Sequence, residues 1–120
     1  MLKFKVNIPV YNTAVHFVVA ESIAKIASSF PSYEKYIKEI EGDYFFDDAT
    51  GLFIIINNKR YVFLEDTLDT NTVIHEILHA TINILTEKGV RLTDSSEEAY
   101  CYLHGYLFSE YSKKIQKLCS

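Results

Sequence analysis

The sequence has few cysteines, no long apolar segment and no excess of basic residues, and each absence excludes a class of protein. Its two cysteines, Cys101 and Cys119, lie far apart on one predicted helix, so we expect reduced thiols and no disulfide. The longest apolar runs, 14–20 and 52–56, are too short to cross a bilayer. The 12 Lys and Arg residues against 16 Asp and Glu residues give a net charge of −4, which argues against a nucleic-acid-binding protein.

What remains has the composition of one globular domain. Apolar residues make up 48% of the 120 residues and charged residues 23%, so disorder is not expected. The length suits a single domain over 1–120. The first six residues alternate apolar and polar side chains and contain no apolar core of a signal peptide. We therefore expect a cytoplasmic protein with no membrane partner.

Periodicity predicts an α+β fold with a small, mostly antiparallel sheet backed by helices. Strands are predicted over 2–8, 13–20, 52–56 and 61–64, with a further short strand at 44–46. Helices are predicted over 21–30, from Ser32 to about residue 40, from Asp69 or Thr70 to Lys88, and from about Ser95 towards Leu118. Gly89 suits the position after the third helix. The chain thus ends in two long helices.

The third predicted helix carries the motif His75-Glu76-Ile77-Leu78-His79, which has the form H-E-x-x-H. Residues four apart lie on one face of a helix, so both imidazoles can reach one metal ion. Two neutral imidazoles are good zinc ligands and leave positions open for water and a third ligand. Glu76 would accept a proton from the zinc-bound water. The alternative is a solvated helix face that carries these three side chains by chance.

A zinc site of this kind needs a third protein ligand. Downstream candidates are Glu87, Asp94, Glu97, Glu98 and His104. We favour Glu98, at the start of the last helix, because the preceding loop can fold the last helix back against the helix that carries the motif. Glu97 and His104 stay open, although His104 lies about 240° around the helix from Glu98. The competing role for Glu98 is a capping box with Ser95.

The C-terminal half resembles small zincin-like metallopeptidases of a minimal gluzincin type, such as phage- or prophage-encoded members. The resemblance rests on Thr72–Ala80, on Gly89 and on Glu97–Leu107, and the H-E-x-x-H motif is its most specific part. It implies a zincin fold, a Zn²⁺ cofactor and Glu98 as the third ligand. It also implies the host cytoplasm as the location if the chain is phage-encoded.

The same resemblance raises two questions about the substrate. An edge strand aligns the substrate peptide in larger zincins, and either 52–56 or 61–64 could do so here. Tyr102 lies one turn after Glu98 and could stabilise a developing oxyanion. The alternative for Tyr102 is a core or interface aromatic.

Tyrosines on the last helix could also form a homodimer contact.

The sequence therefore predicts a zinc-dependent metallopeptidase that hydrolyses a peptide bond in a peptide or protein substrate. His75, His79 and Glu98 would bind the metal, and Glu76 would be the general base. One alternative is a non-catalytic zincin-fold binding or regulatory module, phage-encoded, with structural or vestigial zinc. A weaker alternative is a metal-free helical interaction domain. His16, in an apolar strand, is expected to be a packed histidine rather than a ligand.

Overall fold

A computed structural model describes residues 1–30, 35, 49–66 and 69–119. Four strands form one sheet: β1 (Leu2–Ile8), β2 (Thr13–Ala20), β3 (Gly51–Ile56) and β4 (Lys59–Glu65). Their order across the sheet is β1-β2-β4-β3. The two outer pairs are antiparallel, whereas the central β2–β4 pair is parallel. The α+β class is confirmed, and the sheet is mixed.

The turns explain how each antiparallel pair closes. Between β3 and β4, Asn57 and Asn58 both have positive φ, at 53° and 63°. Asparagine tolerates this conformation, which a two-residue hairpin turn requires. Between β1 and β2, a short 3-10 turn ends at Asn12, which is also left-handed with φ 50°. Both predicted hairpins are therefore present.

Three helices are described: α1 (Ile23–Ser29), α2 (Thr70–Glu87) and α3 (Glu97–Cys119). The Asp69 side chain caps α2 by accepting a hydrogen bond from the Asn71 backbone N–H at 3.0 Å. Gly89, with φ 80°, follows the end of α2 as predicted. Apart from residue 35, the helix predicted from Ser32 lies outside the described residues, as does the strand predicted at 44–46.

The helices cover both faces of the sheet. On one face, α2 and α3 pack against residues of β1, β2 and β4. The core between them includes Phe17, Val62, Ile77 and Leu107. On the other face, α1 packs through Ile23 and Ile26 against Phe63 and its neighbours. No helix in the described ranges is both long and apolar enough to span a membrane. Helix α2 thus packs against one face of the sheet.

Candidate metal centre

The middle of α2 gathers three side chains into one cluster: His75, Glu76 and His79. Their ligand atoms lie within 4.8 Å of one another. The Nε2 atoms of His75 and His79 are 3.1 Å apart, and Nε2 of His75 lies 3.9 Å from Oε1 of Glu76. At 3.1 Å, one imidazole can donate a hydrogen bond to the other. The helical spacing therefore brings together the residues that the motif predicts.

The three side chains differ sharply in exposure. The His75 side chain is 67% exposed, whereas Glu76 as a residue is only 8% exposed. Burial raises the pKa of Glu76, while His79, His75 and a hydrogen bond from the backbone N–H of Phe53 partly offset that rise. A carboxylate with a raised pKa is a better proton acceptor than an exposed one. The cluster thus combines two solvent-accessible imidazoles with one buried carboxylate.

The shelter around Glu76 comes from β3. A Cβ atom placed on Gly51 would lie 2.9 Å from Cγ of Glu76 and 2.7 Å from Cγ2 of Thr72. Beside this contact, the hydroxyls of Thr50 and Thr72 are 3.3 Å apart. Because Gly51 has no side chain, the strand can approach α2 closely enough to cover the Glu76 carboxylate.

A buried arginine fixes the C-terminal half of α2 on the sheet. Arg60 of β4 is 6% exposed, donates to Oδ1 of Asn83 at 2.7 Å and forms an ion pair with Glu87. It also donates to Oγ1 of Thr13 on β2 at 2.9 Å. One guanidinium therefore joins α2 to two strands, and its planar group of donors suits that task.

An open groove of about 450 Å³ begins at the cluster and runs along α2. Its lining residues come from β3 and from the second half of α2: Phe53, His79, Ile82, Asn83, Thr86 and Glu87. His79 belongs to both the cluster and the groove. A molecule bound at the cluster could therefore extend into this groove.

The structure does not bring Glu98 into the cluster. Glu98 is exposed in the first turn of α3, and its side chain forms no hydrogen bond within the described ranges. The capping box is absent as well, since Oγ of Ser95 lies 3.0 Å from Oγ1 of Thr93 instead. Glu97 is also exposed and outside the cluster. The assignment of Glu98 as third ligand stays a prediction.

Tyr102 and His104 lie on different sides of α3. Tyr102 is 74% exposed and lines an apolar groove with the β1–β2 turn, which contains no member of the cluster. Nε2 of His104 lies 3.3 Å from the backbone oxygen of Ile74, one residue before His75. His104 thus approaches the backbone of α2, while its ring is not a member of the cluster.

The remaining histidine is packed in the sheet. His16 of β2 stacks on Tyr61 with 5.1 Å between the ring centroids. Burial lowers the pKa of His16, and the nearby Lys59 and Lys5 lower it further. A neutral, stacked imidazole fits the prediction of a packed histidine.

Two contributors to the site, Gly51 and Phe53, were not singled out by sequence reasoning. The available signal was a glycine directly before a predicted strand, since glycine in a strand often marks a close approach of another group. The backbone amide of Phe53 carries no signal of its own. Its role depends on the strand register and on the position of α2.

Comparisons with known proteins identify no relative of this chain. No family model matches the sequence, no curated protein matches it, and no solved structure matches the fold.

Proposed function

We propose that this chain is a zinc-dependent metallopeptidase with a zincin-like fold. The observation that carries the proposal is the cluster on α2, with two Nε2 atoms 3.1 Å apart beside the sheltered carboxylate of Glu76. Two imidazole nitrogens bound to one tetrahedral zinc lie about 3.3 Å apart. A small rotation of either ring would therefore convert the imidazole pair into a metal site.

The chemistry follows from the roles that the side chains can take. Zinc, when bound, would polarise the substrate carbonyl and activate a water. Glu76 would accept a proton from the water as the water oxygen adds to the carbonyl carbon, and would pass that proton to the amine nitrogen as the C–N bond of the peptide breaks. Burial of Glu76 against β3 would hold the carboxylate beside the imidazoles throughout.

Of the two strands considered for aligning a substrate, the sheet order favours β3. Strand β4 pairs with β2 on one side and β3 on the other, so its backbone groups are already used. In the described part of the chain, β3 has β4 as its one partner. An extended peptide could pair with the other side of β3. It could then reach His79 through the groove that Phe53 of β3 and His79 both line.

The test is cleavage of a mixture of unstructured peptides by the zinc-loaded protein, with new termini identified by mass spectrometry. We expect the wild type to cleave and Glu76→Gln to be slower by about 10²–10⁴-fold, since it removes the proton acceptor. Glu97→Gln, an exposed and isosteric change on α3, is the matched control and should cleave at the wild-type rate.

The outcomes separate the proposal from its competitor. Cleavage by Glu76→Gln at the wild-type rate would contradict the role of Glu76. A folded, zinc-loaded wild type that cleaves no peptide would favour a non-catalytic binding or regulatory module with zinc in a structural role.

A further inference from the structure

The groove that begins at His79 changes character along its length. Its apolar lining comes from Phe53 of β3 and from Ile82, three residues after His79 on α2. Ile82 is 42% exposed, so its side chain is open to a bound molecule. Glu87, the last residue of α2, lines the same groove. The groove is therefore apolar near the histidine cluster and acidic at the end of the helix.

Glu87 is paired with the buried arginine through one carboxylate oxygen only. Nη2 of Arg60 contacts Oε2 of Glu87, and within the described ranges no hydrogen bond reaches Oε1 of Glu87. The side chain of Glu87 is 59% exposed, whereas that of Arg60 is 6% exposed. An ionised carboxylate can accept about four hydrogen bonds. A molecule in the groove therefore meets the negative member of this pair, with one oxygen available to accept.

The position of Glu87 on α2 adds to the negative charge at this end of the groove. The last carbonyl groups of a helix carry a partial negative charge, which favours cations nearby. The last turn of α2 contains no basic residue, and Lys88, which follows it, lies about 100° around the axis from Glu87. The far end of the groove therefore suits a cationic group.

The dimensions of the groove suit a long basic side chain. His79 and Glu87 are eight positions apart on α2, which corresponds to about 12 Å along the helix axis and about four residues of an extended peptide. Lysine and arginine combine an apolar stem with a charged head. The stem matches Phe53 and Ile82, and the head matches Glu87.

We propose that this groove binds a lysine or arginine side chain of a peptide, and that Glu87 makes the site specific for basic substrates. This inference rests on the proposed function, because it names the substrate class of the same site. Glu87 is a specificity-determining residue, since it would contact a substrate side chain and not the reacting atoms. Cleavage should then occur within about four residues of a lysine or arginine.

Peptide binding tests the inference without any need for turnover. The protein carries Glu76→Gln, so that a peptide is not consumed, and zinc is present. The probes are short blocked peptides of alanine and serine that differ at one central residue, arginine or glutamine. NMR titration measures the Kd and the backbone amides that shift. We expect the arginine peptide to bind at least about fivefold more tightly, with the largest shifts at Phe53, Ile82 and Glu87.

Glu87→Gln is the direct variant, and Glu97→Gln is its matched control. Both changes remove one negative charge from an exposed position, but only Glu87 lines the groove. In the Glu76→Gln background, we expect Glu87→Gln to abolish the preference for the arginine peptide and Glu97→Gln to keep it. Loss of the preference in both variants would overturn the proposal, because net charge alone would then explain it.

A second variant guards against misfolding of Glu87→Gln, which removes a partner of buried Arg60. Thr86→Lys places a cation in the groove at an exposed helical position and leaves the Arg60–Glu87 pair intact. We expect the arginine peptide to bind no more tightly than the glutamine peptide in this variant. An unchanged preference in folded Thr86→Lys would overturn the proposal, as would equal or undetectable binding of both peptides before either change.

The two proposals fail separately. If the groove prefers the arginine peptide but the zinc-loaded wild type cleaves nothing, the basic-side-chain site stands and the peptidase proposal fails. If the wild type cleaves the peptide mixture at bonds with no lysine or arginine at a fixed nearby position, the basic-side-chain site fails and the peptidase proposal stands.

Discussion

The middle of α2 and the first turns of α3 both carry candidate metal ligands, but only the candidates on α2 lie together in one cluster. His75, Glu76 and His79 lie within 4.8 Å of one another, whereas Glu98 lies exposed on α3 outside that cluster. The α2 side chains share one element, so helical geometry alone brings them together. A ligand from α3 depends also on how that helix is rotated and where it crosses α2.

The rotation of α3 is set by its own buried side chains. Tyr100, Leu103, Leu107 and Tyr111 form the stripe that packs on the sheet and on α2. At 100° per residue, Glu98 lies about 160° around the helix from Tyr100. Packing of the stripe therefore turns Glu98 towards solvent. For Glu98 to reach a metal on α2, the first turn of α3 would have to rearrange on metal binding.

The largest effect expected from this difference is on zinc affinity. His79→Ala removes one of the two gathered imidazoles, so the zinc Kd should rise by at least about a hundredfold. The matched control is His104→Ala, the same substitution on α3, which should leave the Kd unchanged. Competition with a chromophoric chelator measures both. An equal loss in the two variants would make α3 as much a part of the site as α2.

A smaller effect is expected for the carboxylates of α3. Glu98→Gln should raise the zinc Kd by about tenfold, because a recruited ligand contributes its binding energy less the cost of moving it. Glu97→Gln, one residue earlier and equally exposed, should have no effect. Titrations identical for the two variants would remove Glu98 from the ligand set. A hundredfold change for Glu98→Gln would mean that α3 contributes as strongly as α2.

The smallest effect concerns α3 as a packing helix. The Tyr111 hydroxyl is buried and has no hydrogen-bond partner within the described chain, and burial, followed by the influence of Cys119, raises the pKa of Tyr111 to about 12. Tyr111→Phe should therefore raise the free energy of unfolding by about 1 kcal/mol. Tyr100 donates to the Val90 oxygen at 2.5 Å, so Tyr100→Phe should lower it by about 1 kcal/mol.

Urea unfolding of the two variants beside the wild type gives both values. A loss of stability in Tyr111→Phe as large as that in Tyr100→Phe would show that the Tyr111 hydroxyl is bonded in solution.

The sequence predicts the parts of this molecule that depend on local pattern. Alternation and turn residues locate β1 to β4, and the capping Asp69 and terminal Gly89 bound α2 within a residue. The three members of the cluster follow from the spacing of one motif. The parallel pairing of β2 with β4 does not follow, because these strands are distant in the sequence and no turn links them.

The same limit applies to the surroundings of the cluster. Gly51 lies against Glu76 because β3 packs beneath α2, a contact that no local pattern encodes. The solvent-facing position of Glu98 depends on packing between elements as well. Spacing within one helix therefore predicts the cluster, whereas the burial of Glu76 and the exposure of Glu98 depend on tertiary packing.

Zinc content tests the proposal that His75 and His79 together bind a metal ion. The measurement is metal analysis of the protein purified without added zinc, followed by anomalous scattering at the zinc edge from its crystals. We expect about one zinc per chain, within bonding distance of Nε2 of both histidines. A folded protein that holds no zinc after saturation, or zinc bound elsewhere with these nitrogens free, would contradict it.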